Sequence, residues 1–152
     1  MKASWMLILI TALMLSACSR QPACSVTSGD MGVPSAGCFV VDNGELLLVK
    51  IMDGTYGTPG GSVDSDEPAQ CAAERETWEE TGVQVSAGEL AAEFDNGFRR
   101  YSCEVVSGRG IEISRPMEIQ HADWYVPELF QHLKWRYPNQ VDIIQTLMTE
   151  RQ

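Results

Sequence analysis

The most constraining stretch of the sequence is residues 60–83, which read GGSVDSDEPAQCAAERETWEETGV. A Pro-Gly-Gly turn opens it, and residues 67–81 are predicted to form a helix. At about 100° per residue, Glu76, Glu79 and Glu80 lie within roughly a quarter turn of one another. Like charges at this spacing destabilise a helix. A hard divalent cation bound by their oxygens is the simplest explanation for the cluster.

The remaining helix positions divide between a charged edge and an apolar back. Arg75 lies between Glu67 and Glu79, so it is placed to orient Glu79 through a charge-assisted hydrogen bond. Cys71 and Trp78 lie on the opposite side of the helix and are predicted to be packing positions.

The spacing of these residues follows a known signature, G-x5-E-x7-R-E-U-x-E-E-x-G-U, in which U is a bulky apolar residue. The seven fixed positions are Gly61, Glu67, Arg75, Glu76, Glu79, Glu80 and Gly82. This pattern resembles the signature of the Nudix hydrolases. Val83 conforms at the second U position, whereas Thr77 departs from it at the first. An ordinary solvated acidic helix would explain neither the arginine spacing nor the preceding glycine pair.

The resemblance implies an α/β (α+β) fold, the Nudix α/β/α sandwich around a mixed sheet, over residues 35–152. It implies hydrolysis of the diphosphate linkage in nucleoside diphosphate derivatives or related diphosphates, with Mg²⁺ or Mn²⁺ as the cofactor. The implied metal ligands are Glu76, Glu79, Glu80 and the backbone carbonyl of Gly60, and the implied orienting residues are Arg75 and Glu67.

The general base is left open by the resemblance. Any of the three helix glutamates could deprotonate the attacking water, as could a separate downstream glutamate, for which Glu118 is the candidate. Glu118 could equally be an exposed glutamate at the end of a strand. The base is therefore one of the carboxylates Glu76, Glu79, Glu80 and Glu118.

The N-terminus resembles a bacterial lipoprotein signal. Lys2 precedes an apolar run that is too short to span a bilayer, and the run ends in Leu-Ser-Ala before Cys18. Residues 1–17 are predicted to be a signal peptide, Cys18 the lipid attachment site and residues 18–34 a tether. Ser19 resembles the context that sorts to the outer membrane, so the expected location is the periplasmic face of the cell envelope. The alternatives are an uncleaved anchor or a cytosolic apolar tail.

The net charge of the chain argues against acidic partners, and its cysteines bear on whether it works in an oxidising compartment. The net charge is −10, and loss of residues 1–17 would remove only Lys2 and bring it to −11, which argues against binding nucleic acid. Apart from Cys18, four cysteines remain, and in an oxidising compartment they permit two disulfides with three connectivities. Buried free thiols are the alternative state. The four are Cys24, Cys38, Cys71 and Cys103.

Apolar runs and turns predict strands on both sides of the acidic helix. Asn43-Gly44 predicts a hairpin between strands at 36–41 and 45–51. After Gly82, a C-terminal cap of the helix, strands are predicted at 83–85, 91–94, 98–106, 112–119 and 123–126. Pro127 predicts a helical turn, and Asn139 is predicted to cap a final helix with the apolar stripe Val141, Ile144, Leu147 and Met148.

Substrate recognition is less constrained. Arg99 and Arg100 lie on a predicted strand between Phe98 and Tyr101, and because neighbours face opposite ways at most one of the two arginines faces the site. A solvated strand is the alternative. Two functional hypotheses besides the anchored hydrolase remain: a Nudix-fold lipoprotein that binds a ligand or partner without turnover, and a cytosolic pyrophosphatase that removes damaged nucleotides. The oligomeric state is open.

Overall fold

A computed structural model describes residues 20–150. The predictions for residues 1–19, including the signal peptide and the lipid on Cys18, lie outside the described residues. Within the described part of the chain, no helix is long and apolar enough to cross a membrane. Residues 20–150 form seven strands, two α-helices and a 3₁₀ helix, Pro127–His132. The strands are β1 Ser35–Asp42, β2 Glu45–Ile51, β3 Tyr56–Gly57, β4 Gly60–Ser62, β5 Gln84–Glu93, β6 Phe98–Ser107 and β7 Ile119–Tyr125; the helices are α1 Ala69–Thr81 and α2 Gln140–Thr149.

The strands form one mixed sheet in the order β3-β2-β1-β6-β5, with β4 paired to β1 and β7 paired to β2. The pair β1–β6 is parallel and the other pairs are antiparallel. The hairpin between β1 and β2 turns at Asn43 and Gly44, both of which have positive φ, as a tight hairpin turn requires. The predicted hairpin is therefore confirmed.

A helical layer covers each face of the sheet. Side chains alternate between the two faces along β1, so successive residues of this strand pack against different layers. Cys38 and Val40 point to the α1 side, where they pack with the small residues Ala69, Ala72 and Ala73. Phe39 points to the other side, where its cluster includes Phe130 of the 3₁₀ helix and Ile144 and Met148 of α2. This arrangement confirms the predicted α/β/α sandwich around a mixed sheet, and it confirms the apolar stripe of the final helix.

The prediction of a strand at 112–119 is wrong. Residues 108–118 lie in a loop, and β7 begins only at Ile119. The loop backbone bonds to the C-terminal end of α1: Glu112 N–H donates to the Thr81 carbonyl and Ser114 N–H donates to the Glu79 carbonyl. Carbonyls at a helix end lack partners within the helix, so they compete with a sheet edge for the loop's N–H groups. The loop is thereby held beside the acidic residues of α1.

Smaller differences concern strand continuity and helix caps. The two strands predicted at 83–85 and 91–94 are one strand, β5, whose pairing with β6 is interrupted by irregularities. Gly82 ends α1 in the left-handed conformation, as predicted, and its N–H donates to the Trp78 carbonyl. Asn139 occupies the N-cap position of α2, but its side chain makes no capping hydrogen bond.

The four cysteines of the described chain form two disulfides, Cys24–Cys71 and Cys38–Cys103. Cys71, which was predicted to lie on the back of α1 and to be available for a disulfide, is cross-linked to Cys24 there. The second bridge joins the parallel neighbours β1 and β6. Closing loops of this length is worth about 4 kcal/mol each in the chain-entropy account of disulfides.

Residues 20–34, the described part of the predicted tether, form no helix or strand, yet from Cys24 onward they are attached to the domain. The buried Glu74 carboxylate accepts hydrogen bonds from the Ser25 N–H and hydroxyl and from the Ala87 N–H. Further along, Asp30 N–H donates to Gln70 Oε1 at 2.9 Å. The part held against α1 and the sheet therefore starts at Cys24, and any free tether in the described chain is confined to the residues before it.

Candidate active site

Helix α1 presents its acidic residues on the face that packs against the protein. Glu76 and Glu80 are each only 6% exposed, whereas the Glu79 side chain lies at the rim with 19% exposed. Thr77, the departure from the apolar signature position, is fully buried, and its hydroxyl donates to the Ala73 carbonyl at 2.7 Å. This local bond satisfies the hydroxyl inside the core, so threonine fits at an apolar position.

Strand β4 lies directly against these carboxylates. Gly60 N–H donates to Glu80 Oε2 at 2.9 Å. A Cβ atom on Gly61 would come within 2.6 Å of Glu76 Cδ, and one on Gly60 would come within 2.6 Å of the Ala36 carbonyl oxygen. Both contacts are closer than carbon packing permits, so Gly61 allows the strand to approach the helix and Gly60 allows it to approach β1. The structure thus brings together Gly60, Glu76 and Glu80, as the sequence predicts.

Arg75 is fully engaged at the edge of the site. It bonds Glu67 through Nε and Nη2, at 2.9 and 2.8 Å, and bonds Glu76 Oε1 through Nη1 at 2.7 Å. Its Nη2 also donates to the Ser62 carbonyl at 2.9 Å. Glu79, the partner expected from the sequence, is farther away, with 3.6 Å between Nη1 and Oε2. Arg75 therefore orients Glu76 more directly than Glu79, and Glu67 in turn holds Arg75.

Arg115 is the residue at this site that the sequence analysis missed. It lies in the loop that crosses the end of α1, and its guanidinium forms an ion pair with Glu79. Its Nη1 also lies 3.5 Å from Oε1 of Glu118, whose side chain is 60% exposed. Glu118 is therefore at the outer edge of the acidic group and is linked to Glu79 through Arg115. A single arginine in a loop belongs to no repeating pattern in the sequence, so its contact with Glu79 becomes visible only in the folded structure.

Burial without a cation raises the pKa of two of these glutamates. The pKa of Glu80 rises to about 8, mainly because burial disfavours its charged form, while the Gly60 N–H opposes the rise. The negative charges of Glu76 and Glu118 add to this increase. The pKa of Glu76 is also raised by burial, although Arg75 opposes the shift. Among the described residues, Glu80 is thus a carboxylate without an ion-pair partner, whereas Arg75 partly compensates the charge of Glu76.

The donor set fits a hard divalent cation in chemical type. It consists of carboxylate oxygens and the carbonyl of Gly60, and Mg²⁺ and Mn²⁺ favour such ligands. Among residues 20–150, however, no three Asp, Glu, His or Cys side chains are gathered closely enough to hold an ion as they stand. The ion pairs account for this, since Arg75 engages Glu76 and Arg115 engages Glu79. Binding a cation would require Glu79 to exchange Arg115 for the ion.

A cleft of about 500 Å³ opens beside the acidic group. Its lining includes Gly60, Gly61 and Glu80 on one side, and residues from the start of α2 on the other. This volume lies within the range of small-molecule sites in proteins. Arg100 lines the cleft, whereas Arg99 faces away and pairs with Asp30 at 3.1 Å. The prediction that at most one of the two arginines faces the site is confirmed.

The sandwich fold, with an acidic helix packed against a glycine pair, defines a class of domain that comparison identifies directly. The sequence profile of the NUDIX domain matches residues 31–147, and the chain belongs to the Nudix family. A MutT-like protein from Streptomyces ambofaciens is 40% identical over 68 residues, which are 44% of this chain and 44% of that protein. The match therefore spans less than half the length of this relative.

Solved structures share the fold at low sequence identity. A NUDIX hydrolase from Nitrosomonas europaea has a TM-score of 0.63 and 20% identity, with 82% of this chain and 92% of that chain covered. A UDP-X diphosphatase has a TM-score of 0.61 and 16% identity, with 87% of this chain and 68% of that chain covered. At these identities the likeness establishes the fold.

Proposed function

We propose that this chain is a divalent-metal-dependent hydrolase of the diphosphate linkage in nucleoside diphosphate derivatives or related diphosphates. The observation that carries the proposal is the set of carboxylates Glu76, Glu79 and Glu80 on one helix, of which Glu80 accepts the Gly60 N–H and lines the cleft. Membership of the Nudix family supports it, as does the shared fold of a UDP-X diphosphatase.

The residues of the chain have separable roles in this proposal. Glu76, Glu79, Glu80 and the Gly60 carbonyl would hold the metal, which when bound supplies neutralising charge to the phosphates and lowers the pKa of water. Glu67 and Arg75 fix the position of Glu76. A carboxylate left outside the metal shell takes the proton of the attacking water. Glu118 is the candidate for that base outside α1, because Arg115 links it to Glu79 and its side chain is open to solvent.

The test is a hydrolysis screen of the purified protein with Mg²⁺ and with Mn²⁺. The panel contains nucleoside diphosphate sugars, dinucleoside polyphosphates and nucleoside triphosphates, with EDTA as the control. We expect turnover of at least one diphosphate that stops in EDTA. Release of a nucleoside monophosphate from a diphosphate sugar would identify the linkage. Turnover of nucleoside triphosphates alone would favour the nucleotide-sanitising alternative.

A binding protein without turnover is the second candidate, and one observation favours it. In the described chain Glu76 is paired with Arg75 and Glu79 with Arg115, and the carboxylates do not form a ready-made metal cluster. If ligands bind but no compound in the panel is hydrolysed with either metal, this second function replaces the first.

We also propose that the protein is lipid-anchored through Cys18 on the periplasmic face of the cell envelope. The sequence before Cys18 carries this proposal. The disulfides Cys24–Cys71 and Cys38–Cys103 support it, since such bridges persist in oxidising compartments and are rare in the cytosol.

Cys18→Ala is expected to abolish both lipid attachment and membrane fractionation. The thiol of Cys18 is the acceptor of the lipid in the lipoprotein resemblance, and alanine offers none. Metabolic labelling with an alkyne fatty acid, followed by fractionation, measures both properties, and Ser19→Ala serves as the matched control. If the Cys18→Ala protein stays in the membrane, the N-terminal segment is instead an uncleaved anchor.

A further inference from the structure

Arg100 is a buried cation that forms no ion pair with any residue in the described range 20–150. It is only 4% exposed, and its Nε and Nη1 atoms lack a hydrogen-bond acceptor within the described residues. Burial lowers the pKa of Arg100 to about 10, and no carboxylate opposes that shift, so the guanidinium remains charged at neutral pH. An unpaired buried charge is among the most costly features of a folded protein. Such a group requires an explanation.

The surroundings of Arg100 stabilise its position but leave its donors free. Its Cζ lies 4.9 Å from the centre of the Phe94 ring and 5.9 Å from that of Phe98. These cation–π contacts partly compensate the buried charge. They offer no acceptor to the N–H groups, because a ring face is at best a very weak one. The aromatic pair therefore holds the guanidinium in place while Nε and Nη1 have no acceptor among the described residues.

The cleft that Arg100 lines also contains a carboxyl group, but the two side chains are not paired with each other in the described chain. Glu80 lines the same cleft, and no ion pair joins it to Arg100 among residues 20–150. One wall thus has a carboxylate that lacks a cation, and another has a guanidinium that lacks an anion. A substrate phosphate bound together with a metal ion would satisfy both groups at once.

Two further polar groups in the cleft are also without partners. Thr58 Oγ1 and Gln140 Oε1 are buried and make no hydrogen bond in the described part of the chain. Both line the cleft that contains Arg100. Buried polar atoms are nearly always paired in folded proteins, so several orphans in one cleft indicate that a polar ligand supplies the missing bonds. The Gln140 carbonyl would accept a hydrogen bond from that ligand.

We infer that Arg100 binds a phosphate group of the substrate inside the cleft and is a determinant of specificity for anionic substrates. The inference rests on the proposed function for the identity of the phosphate as part of a diphosphate. The guanidinium suits this role, since its N–H donors match phosphate oxygens in pairs. Arg99, whose charge is already paired with Asp30 and Glu93, has no such role.

The first test measures anion binding without metal or turnover. Thermal unfolding of the full chain is followed in EDTA, with and without inorganic pyrophosphate, for wild type, Arg100→Met and Arg99→Met. A bound anion raises Tm by mass action. We expect pyrophosphate to raise Tm of wild type and of Arg99→Met, and to leave Tm of Arg100→Met unchanged. Equal shifts for wild type and Arg100→Met, or no shift for wild type, would overturn the inference.

The same experiment separates binding from a structural role. Because Arg100→Met removes an uncompensated buried charge, the variant is expected to be at least as stable as wild type in anion-free buffer. A structural arginine would instead give a variant that is less stable in every buffer and still responds to pyrophosphate, which would contradict the inference. Arg100→Lys keeps the charge without the paired donors, and its Tm shift is expected to lie between those of wild type and Arg100→Met.

The second test uses any substrate found in the hydrolysis screen. Arg100→Met is expected to raise KM at least tenfold with a smaller change in kcat, and Arg99→Met to change neither. Unchanged KM in Arg100→Met alongside normal turnover would refute the role of Arg100 while leaving the hydrolase proposal intact. A pyrophosphate response that depends on Arg100, without hydrolysis of any compound, would support the inference and refute the hydrolase.

Discussion

Glu79→Gln and Glu80→Gln are each expected to lower Mg²⁺-dependent hydrolysis by about 10²–10³-fold or more while leaving the fold intact. Glutamine has nearly the shape of glutamate, and its carbonyl can still accept the Gly60 N–H at position 80. What it lacks is the negative charge, which dominates the affinity of an oxygen site for Mg²⁺. Initial rates at several Mg²⁺ concentrations, with circular dichroism as the check on folding, measure the effect.

Glu89→Gln provides the matched control for this pair. Glu89 is exposed on β5, carries the same charge and is not among the residues that line the cleft. Its substitution is expected to leave the rates unchanged within a factor of two, roughly the limit for a surface change. Wild-type turnover in both Glu79→Gln and Glu80→Gln would show that neither residue holds the metal.

The acidic helix and its neighbouring turn were predictable because the residues that the site requires are close together in the sequence. Glu76, Glu79 and Glu80 must share one helix face, and Gly60 and Gly61 must leave room for the strand to approach. Spacing along one helix and one turn encodes both requirements. The alternation of Arg99 and Arg100 was predictable for the same reason, since it follows from the pleat of a single strand.

Contacts between distant parts of the chain were not predictable in this way. Arg115 reaches Glu79 only because the loop after β6 bonds to the carbonyls at the end of α1, and the same bonds are why no strand forms at 112–119. Which cysteines pair depends on packing across the sheet and against α1, and sequence alone left three connectivities open. The orphaned donors of Arg100 likewise become visible only when every acceptor around them is placed.

The metal-free protein is expected to lose stability as the pH rises from about 4.5 to about 8. The carboxyl of Glu80 has a pKa of about 8 in the folded protein, against an ordinary value of 4.5. Between these values the unfolded chain releases the proton that the folded chain keeps. The free energy of unfolding therefore falls with pH, by as much as about 1.4 kcal/mol per pH unit for one group and a few kcal/mol in total. The raised pKa of Glu76 acts in the same direction.

Urea unfolding in EDTA at pH 5, 6.5 and 8 measures this loss of stability. Glu80→Gln removes the titrating group, so its unfolding free energy is expected to depend much less on pH and to exceed that of wild type at pH 8. Glu89→Gln is expected to behave as wild type. Mg²⁺ binds the ionised carboxylates and is expected to restore wild-type stability at pH 8 while leaving Glu80→Gln almost unaffected. If the unfolding free energy of wild type in EDTA is constant or rises with pH, Glu80 is ionised in the folded protein without a metal. Arg75 and Arg115 alone would then compensate the negative charge of the acidic face of α1.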